Sequence, residues 1–101
     1  MGEIMIMTIR LSQIEEYMKN PNTVLIDLRS TEEFRTKHIE GAVSIPFEQL
    51  EQKIMSLSKQ KRYILLCEYG SSSLLAVKML RKEGFDAVSV IGGFHSLTYD
   101  L

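Results

Sequence analysis

The chain has 101 residues, 45% hydrophobic and 25% charged, the balance of a globular domain able to bury roughly two-thirds of its unfolded surface in one core. Its 12 basic and 13 acidic side chains leave a formal net charge of -1, which excludes a global attraction to nucleic acid or anionic membranes and makes any anion site a local one. A lone cysteine excludes an internal disulfide, so the fold does not depend on oxidation and a reducing, cytoplasmic setting is expected.

In chain order, Ile4 to Ile9 reads as the first strand. Ser12 to Asn20 reads as a helix, with Ser12 and Glu15 in capping-box spacing, Leu11, Ile14, Tyr17 and Met18 on one face, and Asn20-Pro21 as the stop. Thr23 to Asp27 (TVLID) is a nearly continuous apolar run, as expected of a strand covered on both faces. Ser30 or Thr31 caps a short helical turn through Phe34, and Ala42 to Ile45 is a third strand. Phe47 to Leu57 carries apolar residues at 47, 50, 54 and 57, in helical spacing. Tyr63 to Cys67 (YILLC) is a second continuous run. The clearest helix is Ser72 to Glu83, with Ala76, Val77 and Leu80 facing inward, Lys78, Arg81 and Lys82 suited to its negative end, and Gly84 as the stop. Ala87 to Ile91 closes the series as a strand.

No repeat, low-complexity tract or linker divides the chain, so residues 1 to 101 are expected to form one domain. The alternation predicts an α/β fold: a largely parallel central sheet of about five strands with helices on both faces, because parallel neighbours need crossover connections. Ligands of such sheets bind beyond the carboxyl ends of the strands. Asp27-Leu28-Arg29, Cys67 and Gly92-Gly93 each follow a predicted strand and should gather on that edge. No stretch approaches the roughly 18 apolar residues of a membrane span. The opening MGEIMIMTIR has neither a basic leader nor a small-residue cleavage site, so a soluble protein away from the membrane is expected.

Cys67 stands where an apolar strand gives way to Glu68, Tyr69, Gly70 and the serines 71 to 73. Two readings are open. Free cysteine is often a buried apolar filler. Alternatively, a loop of small residues leading into a helix can turn its N–H groups inward, add the positive end of the helix dipole and favour a nucleophilic thiolate.

Three segments together resemble the single-domain rhodaneses, the thiosulfate-type sulfurtransferases. LIDLRSTEEFRTKHIEGAVSIP (25 to 46) is similar to the family's first signature, CEYGSSS (67 to 73) to its active-site loop, and GFDAVSVIGGF (84 to 94) to the strand and double glycine that close the domain. The resemblance runs from about Thr8 to Leu97 and implies a rhodanese-like fold and a catalytic role for Cys67. The thiolate would take the outer sulfur of a small sulfane donor such as thiosulfate or polysulfide, and the N–H groups of residues 68 to 72 would hold the persulfide. A thiol or cyanide acceptor would then remove the sulfur. Glu68, Tyr69, Gly70, Ser71 and Ser72 thereby become substrate-binding candidates, with Asp27 and Arg29 as support that pairs or bonds loop backbone near the site. His38 is expected to satisfy buried backbone groups, and Glu33 to serve a helix start. No metal or organic cofactor is implied, and no nucleic-acid or membrane partner.

One departure concerns charge. Many thiosulfate-using members carry Arg or Lys in the loop, whereas this loop has no basic residue and one carboxylate, Glu68, which opposes a dianionic donor. Lys37 or Arg35 would have to lend charge across the cleft. A protein phosphatase of the same fold needs an Arg six residues after the cysteine to grip phosphate, and position 73 is Ser. Two alternatives remain beside small-molecule turnover: a non-catalytic binding or sulfur-sensing module, and a relay that passes sulfur between proteins.

Overall fold

The computed structural model describes residues 7–99 and threads them as alternating strands and helices. In order they are β1 (Thr8–Ile9), a 3-10 turn (Leu11–Gln13) running into α1 (Ile14–Met18), β2 (Thr23–Asp27), α2 (Thr31–Thr36) and β3 (Val43–Ser44). Then come α3 (Phe47–Lys53) with a 3-10 extension (Ile54–Ser56), β4 (Arg62–Leu66), α4 (Ser71–Lys82), β5 (Asp86–Val90) and a closing 3-10 segment (Phe94–Tyr99). The five strands form one sheet in the order β1-β5-β4-β2-β3, and each neighbouring pair is parallel. This is the expected α/β sheet, parallel throughout its described strands.

The runs that read as doubly covered are the inner strands. β4 pairs with β2, Ile64 opposite Leu25, and with β5, Ile64 opposite Val88. Because strand side chains alternate between faces, Tyr63, Leu65 and Cys67 join Ile26 and Ala87 against Leu50, Ile54, Ala76, Val77 and Leu80 of the α3–α4 layer. Ile64 and Leu66 face the other way, with Leu25, Val88 and Val90, against Ile14, Tyr17 and Met18 of α1. Leu25, Ile26, Ile64, Leu65 and Leu66 are wholly buried. Each contributes about 1.5–3 kcal/mol relative to an exposed side chain, so the sheet is pinned where β2 and β4 meet.

Local chemistry moves several boundaries. The first predicted strand is reduced to Thr8–Ile9, and its residues 4–6 lie outside the described residues. The capping box expected of Ser12 and Glu15 is replaced by a contact two residues earlier. There the Arg10 N–H donates to Gln13 Oε1 at 2.8 Å and winds Leu11–Gln13 as 3-10, leaving α1 short. At α2 the expected cap forms: Ser30 Oγ accepts from the Glu33 N–H and the Ser30 N–H donates to Glu33 Oε1, both at 3.1 Å. The helix continues past Phe34 to Thr36. α4 begins at Ser71, one residue before its predicted start. The closing segment Phe94–Tyr99 carries no apolar period, and the sequence predicts no element there.

Candidate active site

Cys67 is the first residue past β4, and the strand's alternation aims its side chain at the face that α4 covers. Between strand and helix the chain has only Glu68, Tyr69 and Gly70 in which to turn. Gly70 makes the turn with φ 105°, a left-handed conformation that costs an L side chain strain, and a Cβ there would stand 3.2 Å from the Gly92 nitrogen. The result is that the Gly70 N–H donates to Cys67 Sγ at 3.1 Å and the Ser73 N–H at 3.2 Å. Ser73 lies in the first turn of a 12-residue helix, where N–H groups lack partners within the helix and the dipole is positive. Two amide dipoles and a helix terminus therefore converge on one sulfur, which is 6% exposed and in no disulfide.

The opposite wall is the segment after β5. The Phe94 N–H donates to the Cys67 carbonyl at 2.7 Å and the His95 N–H to the Glu68 carbonyl at 2.8 Å. Gly93, with φ 62°, allows that approach: a Cβ there would overlap the carbonyl oxygens of both residues. The double glycine is thus a floor pressed against the backbone of the cysteine loop.

Asp27 and Arg29 form a buried pair, the carboxylate 0% and the guanidinium 5% exposed. Arg29 Nε donates to Asp27 Oδ1 at 3.1 Å, Nη2 to Oδ2 at 2.9 Å, and Nη2 also to the Lys37 carbonyl at 2.7 Å. The guanidinium lies 3.6 Å from the centre of the Phe94 ring. The backbone it bonds is thus that of Lys37 rather than the cysteine loop, and it reaches the loop through Phe94.

The remaining predicted residues of the loop reach solvent to different degrees. Glu68 is half-buried, Ser71 is exposed and Ser72 half-buried, and Tyr69 is 67% exposed with its ring centre 4.8 Å from that of His95. An amide ring from residues 68 to 72 is the expectation for a bound persulfide, and the structure gives the donors at the thiol itself. Among the described residues the N–H groups within hydrogen-bonding distance of Sγ are those of Gly70 and Ser73, because the helix begins at Ser71 and turns its first N–H groups inward. Ser73 was identifiable only by counting into that first turn, and Phe94 only by knowing which backbone would meet the loop. His38 also differs from expectation. It is exposed, stacks on Phe34 at 3.9 Å between ring centres and places Nδ1 2.7 Å from the Phe34 carbonyl at the end of α2. Arg35 and Lys37 line a groove with Arg29, Glu32, Glu33 and Thr36, and no residue of the cysteine loop lines it.

Among the described residues no group of three or more His, Cys, Asp or Glu side chains could hold a metal ion, and no helix is long and apolar enough to cross a membrane. Against known proteins, residues 11–99 match the family model of the rhodanese-like domain. A tRNA sulfurtransferase of Escherichia fergusonii is 40% identical over 74 residues, which are 69% of this chain and 15% of that protein. The adenylyltransferase and sulfurtransferase UBA4 of Candida glabrata is 34% identical over 92 residues, 79% of this chain and 21% of that one. The chain thus spans between about a seventh and a fifth of these relatives' length. A crystal structure of a rhodanese-related protein from Thermoplasma volcanium superposes with a TM-score of 0.83 at 28% identity, covering 92% of this chain and 91% of the other. With its signature segments, its parallel sheet and a match over most of its length, the chain belongs to the rhodanese-like domain family.

Proposed function

We propose that the protein is a sulfurtransferase working through a persulfide on Cys67. In the first step the Cys67 thiolate attacks the outer sulfur of a sulfane donor. A sulfur–sulfur bond forms at Sγ, the donor's own sulfur–sulfur bond breaks, and the leaving group departs with the electron pair as a thiolate, a shorter polysulfide or, from thiosulfate, sulfite. In the second step an acceptor thiolate or cyanide attacks the outer sulfur and Cys67 leaves as the thiolate. Negative charge sits on Sγ at the start of the first step and returns to it at the end of the second. Fixed donors at Sγ therefore keep Cys67 ionised for its attack in the first step and stabilise it as the leaving group in the second.

The observation that carries this reading is the pair of backbone N–H groups, from Gly70 and Ser73, aimed at Sγ. A filler thiol needs no such donors. The names of the relatives, both sulfurtransferases, point the same way. They also support a relay in which Cys67 takes sulfur from one protein and passes it to another. A reducing, cytoplasmic setting would suit the chemistry, since each cycle must return a free thiolate. Glu68, Tyr69, Ser71 and Ser72, the partly or fully exposed residues next to Cys67, would meet the donor, while Asp27 and Arg29 would support the loop through Phe94.

A second reading, a module that binds a partner or senses sulfur without turnover, draws on the low exposure of Cys67 and its place in the apolar cluster under α4. A donor panel of thiosulfate, polysulfide and a small persulfide, assayed with cyanide and with a thiol acceptor, separates the two. Catalysis by the wild type and its loss in Cys67→Ser, with the unfolding midpoint of the variant unchanged, is the expected outcome. An active Ser variant would remove the mechanism, and an inactive wild type with every donor would leave the binding module.

A further inference from the structure

Ser73 and Ser89 form a hydroxyl pair beneath the cysteine loop that the reaction as described does not use. Ser89 lies on β5, where strand alternation turns it toward α4, and both serines are shut off from solvent, at 0% and 1% exposure. Their Oγ atoms are 2.6 Å apart, and Ser73 Oγ lies 3.1 Å from the Gly70 carbonyl. The direction of the pair follows from proton bookkeeping. Each hydroxyl has one proton to give, the carbonyl can only accept, and Ser89 Oγ has no other partner among the described residues. If Ser73 donated to Ser89, the Ser89 proton would be buried without an acceptor and the Gly70 carbonyl would lose its hydroxyl donor. Every proton is used only when Ser89 donates to Ser73 and Ser73 donates to the Gly70 carbonyl.

That chain ends on the residues whose N–H groups face the sulfur. Gly70 and Ser73 each donate to Cys67 Sγ, and the Ser73 hydroxyl ties them to one another across the first turn of α4, beside the Leu74 N–H, which donates to the same carbonyl at 3.2 Å. Gly70 is the most conformationally free residue of the loop, and the cross-tie limits that freedom. We propose that Ser89 is a positioning residue for sulfur transfer: by fixing the Ser73 hydroxyl on the Gly70 carbonyl, it sets the spacing of the two amides around Sγ before the donor arrives. This rests on the sulfurtransferase reading, and Ser89 itself touches neither donor nor acceptor.

The test is a double-mutant cycle on the full chain, read by the single-turnover rate of sulfur loading from polysulfide and by amide hydrogen exchange. Ser89→Ala is expected to slow loading about tenfold, less than the loss of a direct anion-hole donor. In the Ser73→Ala background it is expected to have no further effect, because its route to the sulfur has gone. Val88→Ala, next door on β5 but facing α1, loses stability without slowing loading, which separates positioning from general loosening. Exchange of the Gly70 and Ser73 amides is expected to quicken about tenfold in Ser89→Ala while β4 amides keep their rates. Wild-type loading in Ser89→Ala, multiplying effects of the two serines, or equal slowing by Val88→Ala would each overturn the proposal. A wild type that accepts no sulfur overturns the parent reading alone, and the exchange rates then still decide whether Ser89 holds the two amides.

Discussion

Arg29 is held as one half of a buried ion pair. Its Nε and Nη2 protons are spent on Asp27 and the Lys37 carbonyl, and its flat face covers the Phe94 ring. Removing the guanidinium would leave the wholly buried Asp27 carboxylate unpaired, at a cost of about 3–5 kcal/mol. Urea unfolding of Arg29→Ala should show that loss, and a change below about 1 kcal/mol would mean the pair is not a keystone. Glu68 has the opposite character, a carboxylate one residue from Cys67 in a loop with no basic residue. Like-charge repulsion at several ångströms weighs twice as heavily on a dianion as on a monoanion. Glu68→Lys should therefore raise kcat/KM for thiosulfate about tenfold relative to a monoanionic persulfide at low ionic strength, with the gain shrinking as salt rises. An equal change for both donors would contradict a charge filter.

At the scale of elements, the site is a meeting of three segments: the loop after β4, the first turn of α4 and the backbone after β5. Gly93 is the tightest point, because its missing Cβ is what allows the Cys67 and Glu68 carbonyls to accept from Phe94 and His95. Gly93→Ala adds left-handed strain to a backbone overlap that no side chain can relieve, and should destabilise by about 2–5 kcal/mol while slowing sulfur loading. Unchanged chemical denaturation and loading would show that the floor is not rigid. The strands and helices that carry these segments are legible in the sequence, since TVLID and YILLC are continuous apolar runs and α4 has a full amphipathic period with a glycine after it. The short elements are not. Ser12 and Glu15 have the spacing of a cap, but Gln13 reaches the Arg10 N–H first, and the 3-10 segment from Phe94 repeats no apolar pattern.

For the whole molecule, parallelism matters most. With β2, β4 and β5 side by side and running the same way, Asp27, Cys67 and Gly92-Gly93, far apart in the chain, leave the sheet at one edge. That convergence is legible from the alternation of elements, and so is Cys67 as a candidate, with a buried filler as the other reading. The identity of its donors is not, because amide protons belong to every residue and only the three-dimensional course of residues 67–73 decides which of them meet the sulfur. Ser73 and Ser89, 16 positions apart, become partners only once β5 lies beside β4 beneath α4. A net charge of -1 gives the molecule no long-range field with which to gather donors, so local geometry must do the work. The most direct measurement is the intact mass of the wild-type protein after incubation with polysulfide and removal of excess donor, followed by addition of cyanide. A gain of one sulfur atom, located on Cys67 by peptide mapping and lost to cyanide as thiocyanate, is the predicted result; an unchanged mass with every sulfane donor, or sulfur that cyanide cannot remove, would contradict transfer through this thiol.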